Sequence, residues 1–217
     1  PNPTEACVDA GADLLKDSGC EVVIGMGGGS AMDAAKAAAL RLTHRADFTE
    51  YEIQIGGDRN MTEQVPPVIA IPTTSGTGSE VGRSSVVTLR EENRKAVICG
   101  PKLLPTVAVC DPELTIGLPP HITAATGMDA LTHSIEAYLS TAYHPICDAV
   151  ALGGIRLAAQ NLETAVRKGD DIEARSNMML ASSMGAIAFQ KDLGVAHSLA
   201  HPGREASSGA GGLPACC

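Results

Sequence analysis

The sequence contains the stretch Glu21-Val-Val-Ile-Gly-Met-Gly-Gly-Gly-Ser30, in which a short run of β-branched residues leads directly into three consecutive glycines. A bounded run rich in Val and Ile predicts a strand over Glu21–Gly25. The Ala-rich segment that follows the glycines, to about Leu42, predicts a helix. The stretch therefore predicts a strand, a glycine loop and a helix in direct succession.

The glycine loop has the features of a site for a phosphate-bearing ligand. Three glycines allow a ligand close to the main chain, and the hydroxyl of Ser30 is placed to cap the following helix. The N–H groups at the positive end of that helix suit a pyrophosphate. Ser30 stands where GxGxxG has its last glycine, and the Lys-Ser/Thr of a P-loop is absent. Taken alone, the pattern equally fits a tight turn that binds nothing.

A second polar loop follows a second predicted strand. The apolar run Val68–Ile71 opens into Thr73–Ser79, which carries five hydroxyl groups. Thr73, Thr74 and Thr77 offer hydroxyl donors to ribose and phosphate oxygens. Taken alone, however, the segment is more typical of a solvated turn, because Ser, Thr and Gly are ordinary turn residues.

The rest of the first half predicts a helix, a hairpin and one more strand. Apolar residues at helical spacing predict a helix over Thr4–Ser18. Ser85–Leu89 and Ala96–Cys99 flank a charged turn, which predicts a hairpin with Lys95 on its return strand. Val107–Cys110 is apolar and predicts a further buried strand.

The pattern changes near Leu118. From there to about Ala200, Ala, Leu, Ile and Met recur at spacings of three and four, which predicts helices alone. Strands first and helices later predict an α/β nucleotide domain over residues 1–117 and an all-helical domain over residues 118–202. Residues 203–217 are rich in Gly, Ala and Ser without periodicity, which predicts an irregular tail.

Composition favours a small-molecule partner. Sixteen basic and 25 acidic residues give a net charge of −9, which opposes binding to nucleic acid or to an anionic membrane. Seven cysteines without CxxC spacing argue against a disulfide framework or a thiolate zinc site. No signal-peptide pattern and no run of about 18 uncharged apolar residues occurs. The sequence therefore predicts a soluble, cytoplasmic protein with reduced thiols.

Two pairs of side chains at i, i+4 spacing carry the strongest chemical signal. Asp129 and His133 project from one face of a predicted helix, and His197 and His201 repeat the spacing. A single histidine is more often structural. Three imidazoles and a carboxylate in two such pairs, however, suit Fe²⁺ or Zn²⁺ and predict a divalent-metal site. A facial triad for non-haem iron oxygen chemistry is a weaker alternative.

The chemically distinctive segments follow one another in a fixed order. They are Gly27-Gly-Gly-Ser30 with Met32-Asp-Ala-Ala-Lys36, Ile71-Pro-Thr-Thr-Ser-Gly-Thr-Gly-Ser-Glu80, Ala124-Ala-Thr-Gly-Met-Asp-Ala-Leu-Thr-His-Ser-Ile-Glu-Ala-Tyr138 and Val195-Ala-His-Ser-Leu-Ala-His-Pro202. Together they resemble the successive signatures of the iron-containing (group III, metal-dependent) alcohol dehydrogenases, over nearly the whole chain. The resemblance implies a partial α/β Rossmann-like nucleotide domain followed by a partial all-helical domain. Glycerol dehydrogenases and dehydroquinate synthases share this architecture but fit the motifs less well.

The resemblance also implies roles for individual residues. Residues implied to bind the cofactor, NAD or NADP, are Gly28, Gly29, Ser30, Asp33, Thr73, Thr74, Thr77, Lys95 and Leu114. Residues implied to bind the metal, Fe²⁺ or Zn²⁺, are Asp129, His133 and His197. Catalysis is assigned to Asp129 and His133 with His201, which is implied to lie beside the substrate and the cofactor.

The implied activity is the interconversion of small primary alcohols or diols and aldehydes. The metal acts as a Lewis acid on the alcohol oxygen, hydride passes to NAD(P), and His201 orients the substrate or relays a proton. We expect a homo-oligomer, a dimer or larger, with no nucleic-acid or membrane partner.

The chain departs from the family pattern towards both ends. The family's fourth metal ligand is a histidine in a Pro-His-Gly turn, and Gly211 stands at that position. The family's opening strands, with the acidic residue that helps to select NAD or NADP, are expected upstream of Pro1. The alternative function is therefore a truncated, non-catalytic remnant that retains partial nucleotide or metal binding.

Overall fold

The computed structural model describes residues 2–199, which form two compact units. The first unit is built from the described chain up to Ile71 and from Ser79–Val109, and the second from Pro72–Gly78 and the described chain from Cys110 onward. A domain boundary near Leu118 stays a prediction.

Within the described residues, five strands form two sheets. In chain order they are β1 (Val23–Gly27), β2 (Val68–Pro72), β3 (Ser84–Leu89), β4 (Arg94–Cys99) and β5 (Val107–Ala108). One sheet has the order β1-β2-β5, with β2 and β5 parallel, and the other is the predicted antiparallel hairpin of β3 and β4. β1 lies two residues later than predicted, so Gly27 ends the strand.

Long helices follow the predicted pattern in both units. They are α1 (Glu5–Asp17), α2 (Gly29–Thr43), α3 (Pro120–Leu139), α4 (Pro145–Arg167) and α5 (Ile172–Ala188). Short 3-10 helices cover Phe48–Tyr51, Ile53–Ile55, Gly57–Asn60, Pro101–Leu103 and Pro112–Thr115. The hydroxyl of Thr4 caps α1 by accepting a hydrogen bond from the Cys7 N–H at 3.4 Å. Among residues 2–199, no helix combines the length and the apolar character needed to cross a membrane.

The last predicted strand differs from its expectation. Val107–Cys110 was expected to be a buried strand, but β5 is only two residues long and Val107 is 46% exposed. β5 lies at the edge of its sheet, beyond β2. The apolar cluster of Val23, Ala39 and Val68 covers β1 and β2 and does not extend to β5.

A buried polar network ties α2 to β3 and to the turn before it. The amine of Lys36 is fully buried and donates to the hydroxyl of Ser79 at 2.6 Å and to the carbonyls of Ser79 and Gly82 at 3.0 and 3.3 Å. Asp33 accepts hydrogen bonds from the Ser79 hydroxyl at 2.7 Å and from the Val86 N–H at 3.0 Å. Burial lowers the pKa of Lys36, and the neighbouring Asp33 opposes that shift.

The helices of the second unit pack closely because small residues face one another. Gly127 of α3 lies against Leu162 of α4 and Met178 of α5, whose methyl carbon would be 3.0 Å from any Cβ at position 127. The main apolar cluster of this unit contains Ala158, Ala165, Ala174, Met178 and Ala181. Glycine and alanine at these positions let three helices approach one another, which positions α3 and the side chains that it carries.

Candidate metal and nucleotide sites

Three predicted metal ligands lie together in the second unit. Asp129 and His133 are one turn apart on α3, with Oδ1 and Nε2 separated by 3.9 Å. His197, in the helical segment 195–199, places Nε2 3.4 Å from the same carboxylate oxygen. The two imidazole rings stack with their centroids 4.4 Å apart. One ligand atom from each of the three residues lies within 4.8 Å of the others.

Close packing of α5 fixes the side chain of His133. A Cβ at Gly185 would lie 3.1 Å from Cβ of His133 and 3.0 Å from the carbonyl oxygen of Ala130, so a larger residue would require these neighbours to shift. The ring of Phe189, just after α5, lies 4.8 Å from the His133 ring. Together with the stacked ring of His197, these contacts hold the imidazole from several sides.

The donor set fits one divalent cation. Asp129, His133 and His197 are 7%, 4% and 6% exposed. Burial lowers the pKa of His133, which outweighs the raising effect of the Asp129 carboxylate and favours the neutral imidazole that binds metals. Ligands about 2.0–2.2 Å from an ion are at most about 4.4 Å apart, so small side-chain shifts suffice for ligation. One carboxylate and two imidazoles accept Fe²⁺ or Zn²⁺.

Glu136 belongs to the same cluster, although the sequence patterns assigned it no role. It lies on α3 three residues after His133, and it accepts a hydrogen bond from Nδ1 of His197 at 2.5 Å. The N–H groups of Gly194 and Ala196 donate to its oxygens at 3.1 and 2.5 Å. Burial would raise the pKa of Glu136, but these three hydrogen bonds lower it below its ordinary value. Its helical spacing from His133 was the available signal.

The glycine loop places main-chain N–H groups at the start of α2. Gly28 is the N-cap residue, and no side chain caps the helix. The expectation that Ser30 caps α2 is wrong, because the helix already begins at Gly29 and Ser30 lies inside its first turn. Gly28, Gly29 and Ser30 thus form the amide end of a helix, where an anion is stabilised.

The hydroxyl-rich loop after β2 packs against helices of the second unit. A Cβ at Gly76 would lie 2.8 Å from Cβ of Thr126 in α3. Gly78 has a φ of +62° and lies against α5 with no room for a side chain. These two approaches fix the course of the loop. The three predicted hydroxyl donors on it are partly exposed, namely Thr73, Thr74 and Thr77.

The other predicted site residues that the structure describes are divided between the two units. Asp33 uses both carboxylate oxygens in the network of α2, so its contact with a cofactor stays a prediction. Lys95 lies on β4 opposite Thr88, and Leu114 lies partly buried in a 3-10 helix of the second unit. His201 and the predicted tail lie outside the described residues.

The fold and the clustered side chains define a class of protein. A β-strand, glycine turn and helix in one unit, with a buried Asp-His-His cluster in a helical unit, are the features of metal-dependent dehydrogenases that use a dinucleotide. Residues 1–112 match the iron-containing alcohol dehydrogenase family, and residues 123–204 match the C-terminal region of the same family. The chain therefore belongs to the iron-containing alcohol dehydrogenase family.

Individual relatives support this assignment. The 4-hydroxybutyrate dehydrogenase of Cupriavidus necator is 49% identical over 201 residues, which are 93% of this chain and 52% of that protein. A crystal structure of a 1,3-propanediol oxidoreductase has a TM-score of 0.90 and 39% identity, covering 99% of this chain and 54% of that one. A sulfoacetaldehyde reductase from Bifidobacterium kashiwanohense, solved with NAD⁺, has a TM-score of 0.85 and 39% identity, covering 99% of this chain and 55% of that one.

These matches confirm the predicted fold class, a partial Rossmann-like domain followed by a helical domain. The chain spans about half the length of the relatives it matches.

Proposed function

We propose that this chain carries the metal and nucleotide sites of a divalent-metal, NAD(P)-dependent alcohol dehydrogenase. The observation that carries the proposal is the buried cluster of Asp129, His133 and His197, whose ligand atoms lie within 4.8 Å of one another. Membership of the iron-containing alcohol dehydrogenase family supports dehydrogenase chemistry for this chain. The reaction is the interconversion of small primary alcohols or diols and aldehydes.

Separate groups of residues have separate tasks in this proposal. The side chains of Asp129, His133 and His197 hold the metal in a dry site, with His201 orienting the substrate or relaying its proton. When bound, the metal supplies Lewis acidity toward the alcohol oxygen and the nicotinamide accepts the hydride. The N–H groups at Gly28–Ser30 bind the pyrophosphate.

The rest of the proposed nucleotide site consists of side chains. Residues assigned to the ribose, phosphate and nicotinamide portions of NAD(P) are Asp33, Thr73, Thr74, Thr77, Lys95 and Leu114. The solved relative that contains NAD⁺ supports NAD as the cofactor. For the metal we propose Fe²⁺, with Zn²⁺ as the alternative that the same donor set accepts.

The substrate class follows from the chemistry shared by the relatives. The three substrates named for them, 4-hydroxybutyrate, 1,3-propanediol and sulfoacetaldehyde, all carry a hydroxyl or aldehyde on the terminal carbon of a short chain. The groups at the other end are a carboxylate, a hydroxyl and a sulfonate, so two of the three are anionic and one is neutral. We therefore propose a short terminal alcohol or aldehyde as the substrate of this site.

Chelation tests the proposed activity. We expect the purified protein to reduce NAD⁺ in the presence of 1,3-propanediol or 4-hydroxybutyrate, to lose that activity after metal removal, and to regain it with Fe²⁺. Activity unaffected by metal removal would contradict the metal mechanism. Binding of metal and NAD⁺ without turnover would contradict catalysis by this chain and leave the non-catalytic alternative.

Substitution of Gly27 tests the nucleotide turn. Gly27 has a φ of +144°, and a Cβ there would lie 2.7 Å from Cβ of Ala31 in α2. Gly27→Ala is expected to weaken NAD⁺ binding about tenfold or more, because about 1–3 kcal/mol of backbone strain would displace the turn from the helix. Isothermal titration with NAD⁺ measures the change in Kd.

Gly117 offers the matched control for Gly27→Ala. No atom lies within 4 Å of a Cβ built at Gly117, and its φ is outside the left-handed region. Gly117→Ala is therefore expected to leave the Kd for NAD⁺ unchanged. Equal Kd values for wild type and Gly27→Ala would show that the turn does not bind the dinucleotide.

We also propose that the protein is cytoplasmic and forms a homo-oligomer, a dimer or larger. The seven cysteines without CxxC spacing support a reducing compartment. Light scattering after size exclusion measures the oligomeric state directly.

A further inference from the structure

We propose that Glu136 is a positioning residue that holds His197 in the ring orientation and tautomer required for metal binding. The inference rests on the proposed metal-dependent function, and it assigns a role to a side chain outside the proposed ligand set. Glu136 and His197 are 61 residues apart in the chain, and a 2.5 Å hydrogen bond joins them.

The hydrogen bond determines which nitrogen of His197 is available. An ionised carboxylate has no proton to donate, so Nδ1 of His197 must be the donor in this contact. Nε2, which lies 3.4 Å from Oδ1 of Asp129, then keeps its lone pair in the neutral ring. Nε2 is therefore the nitrogen directed at the proposed metal. Carboxylates that orient metal-binding histidines in this manner are a recurrent feature of metal sites.

Both carboxylate oxygens of Glu136 are engaged by hydrogen-bond donors, and Glu136 is not one of the three clustered ligand residues. Its Oε2 accepts hydrogen bonds from His197 and from the Gly194 N–H, and its Oε1 accepts one from the Ala196 N–H. All three donors belong to the segment that leads into and contains the helical residues 195–199. The carboxylate thus anchors that segment to α3, and its oxygens point toward these donors.

Glycine at position 194 makes the close approach possible. A Cβ at Gly194 would lie 2.9 Å from Oε1 of Glu136 and 3.1 Å from its Cγ. An alanine side chain there would push the carboxylate away from its donors by a few tenths of an ångström or more. Gly194→Ala therefore perturbs the same contact as Glu136 substitutions, from the opposite side.

Replacement of Glu136 by glutamine tests the role of its charge and lone pairs. The amide of glutamine carries N–H donors on one side, so it opposes the Ala196 N–H in one orientation and the Gly194 and His197 donors in the other. In the second orientation His197 is driven to the tautomer with a proton on Nε2. Glu136→Gln is expected to raise the Kd for Co²⁺ about 10- to 100-fold, the usual effect of losing such a partner.

The experiment measures Co²⁺ affinity and the visible spectrum of the bound ion in folded protein. Wild type, Glu136→Gln, Gly194→Ala and Glu163→Gln are titrated with Co²⁺, and circular dichroism verifies the fold. Glu163 is the control because its side chain is exposed and pairs with Arg167 one turn away on α4. We expect a large rise in Kd and an altered spectrum for Glu136→Gln, a smaller rise for Gly194→Ala, and no change for Glu163→Gln.

The possible failures are distinguishable. Co²⁺ binding by wild type with the same Kd in folded Glu136→Gln would overturn the positioning role and leave the proposed metal site intact. If Glu136→Gln does not fold, an unchanged Kd in Gly194→Ala overturns the role instead. Failure of the wild type to bind Co²⁺ would overturn the metal site itself, and the role of Glu136 with it.

Discussion

His133→Ala is expected to raise the Kd for Fe²⁺ or Co²⁺ about 100-fold or more and to leave the purified protein nearly free of metal. Loss of a residue that merely supports a ligand lowers metal affinity about 10- to 100-fold, and loss of a ligand should exceed that. The remaining donors, Asp129 and His197, would hold the ion through two atoms alone among the described residues. Elemental analysis of purified protein and Co²⁺ titration measure the effect.

A second substitution separates lost ligation from lost packing. His133 is buried against Gly185 and Phe189, so alanine also leaves a void. His133→Gln fills most of that space without an imidazole, and it is expected to lose metal almost as completely as His133→Ala. His121→Ala is the matched control, because His121 lies exposed near the start of the same helix. Full metal content in His133→Gln would show that the wrong ligand has been named.

The clustering of Asp129 and His133 was predictable because it depends on one helix. Residues four apart on an α-helix share a face whatever surrounds them. The position of His197 beside them depends on tertiary structure. It was predicted from the order of the motifs along the chain, which resembles that of the family. The spacing of Glu136 from His133 indicates only that the two residues lie near one face of α3. Its role was missed because it depends on donors at 194–197, far along the chain.

Predictions from local sequence were wrong where two residues competed for the N-cap position, and where the burial of a strand depended on packing. Ser30 has good capping chemistry, but Gly28 already has the extended conformation of an N-cap residue, with φ −74° and ψ −179°. The helix therefore starts before the serine. Val107 has the β-branched, apolar character of a buried strand, yet its burial depends on what covers the sheet edge, and composition does not specify that.

Lys36 illustrates the same limit for charged residues. A lysine in an Ala-rich helix is normally exposed, since burying a charge without partners is costly. Here its partners are supplied by Ser79 and Gly82, more than 40 residues away in the chain. The resemblance implied that Asp33, in the same motif as Lys36, binds the cofactor. The structure shows that both residues also form hydrogen bonds in the interior of the first unit.

Lys36→Ala is expected to lower the free energy of unfolding by about 3–5 kcal/mol, the usual cost of removing one partner from a buried ion pair. The substitution leaves the carbonyls of Ser79 and Gly82 without the amine that donates to them, and it removes the cation beside Asp33. It also leaves a void in a closely packed region. Urea denaturation measures the change, and Lys16→Ala is the control because Lys16 is exposed on α1.

Lys36→Met decides whether volume or hydrogen bonding dominates that cost. Methionine restores most of the volume of lysine but has no donor, so the carbonyls and the carboxylate keep their desolvation penalty. If the polar network dominates, Lys36→Met retains more than half of the loss seen in Lys36→Ala, while Lys16→Ala stays within about 0.5 kcal/mol of wild type. Near-complete recovery in Lys36→Met would instead show that side-chain volume, and not the contacts with Asp33 and Ser79, accounts for the stability lost in Lys36→Ala.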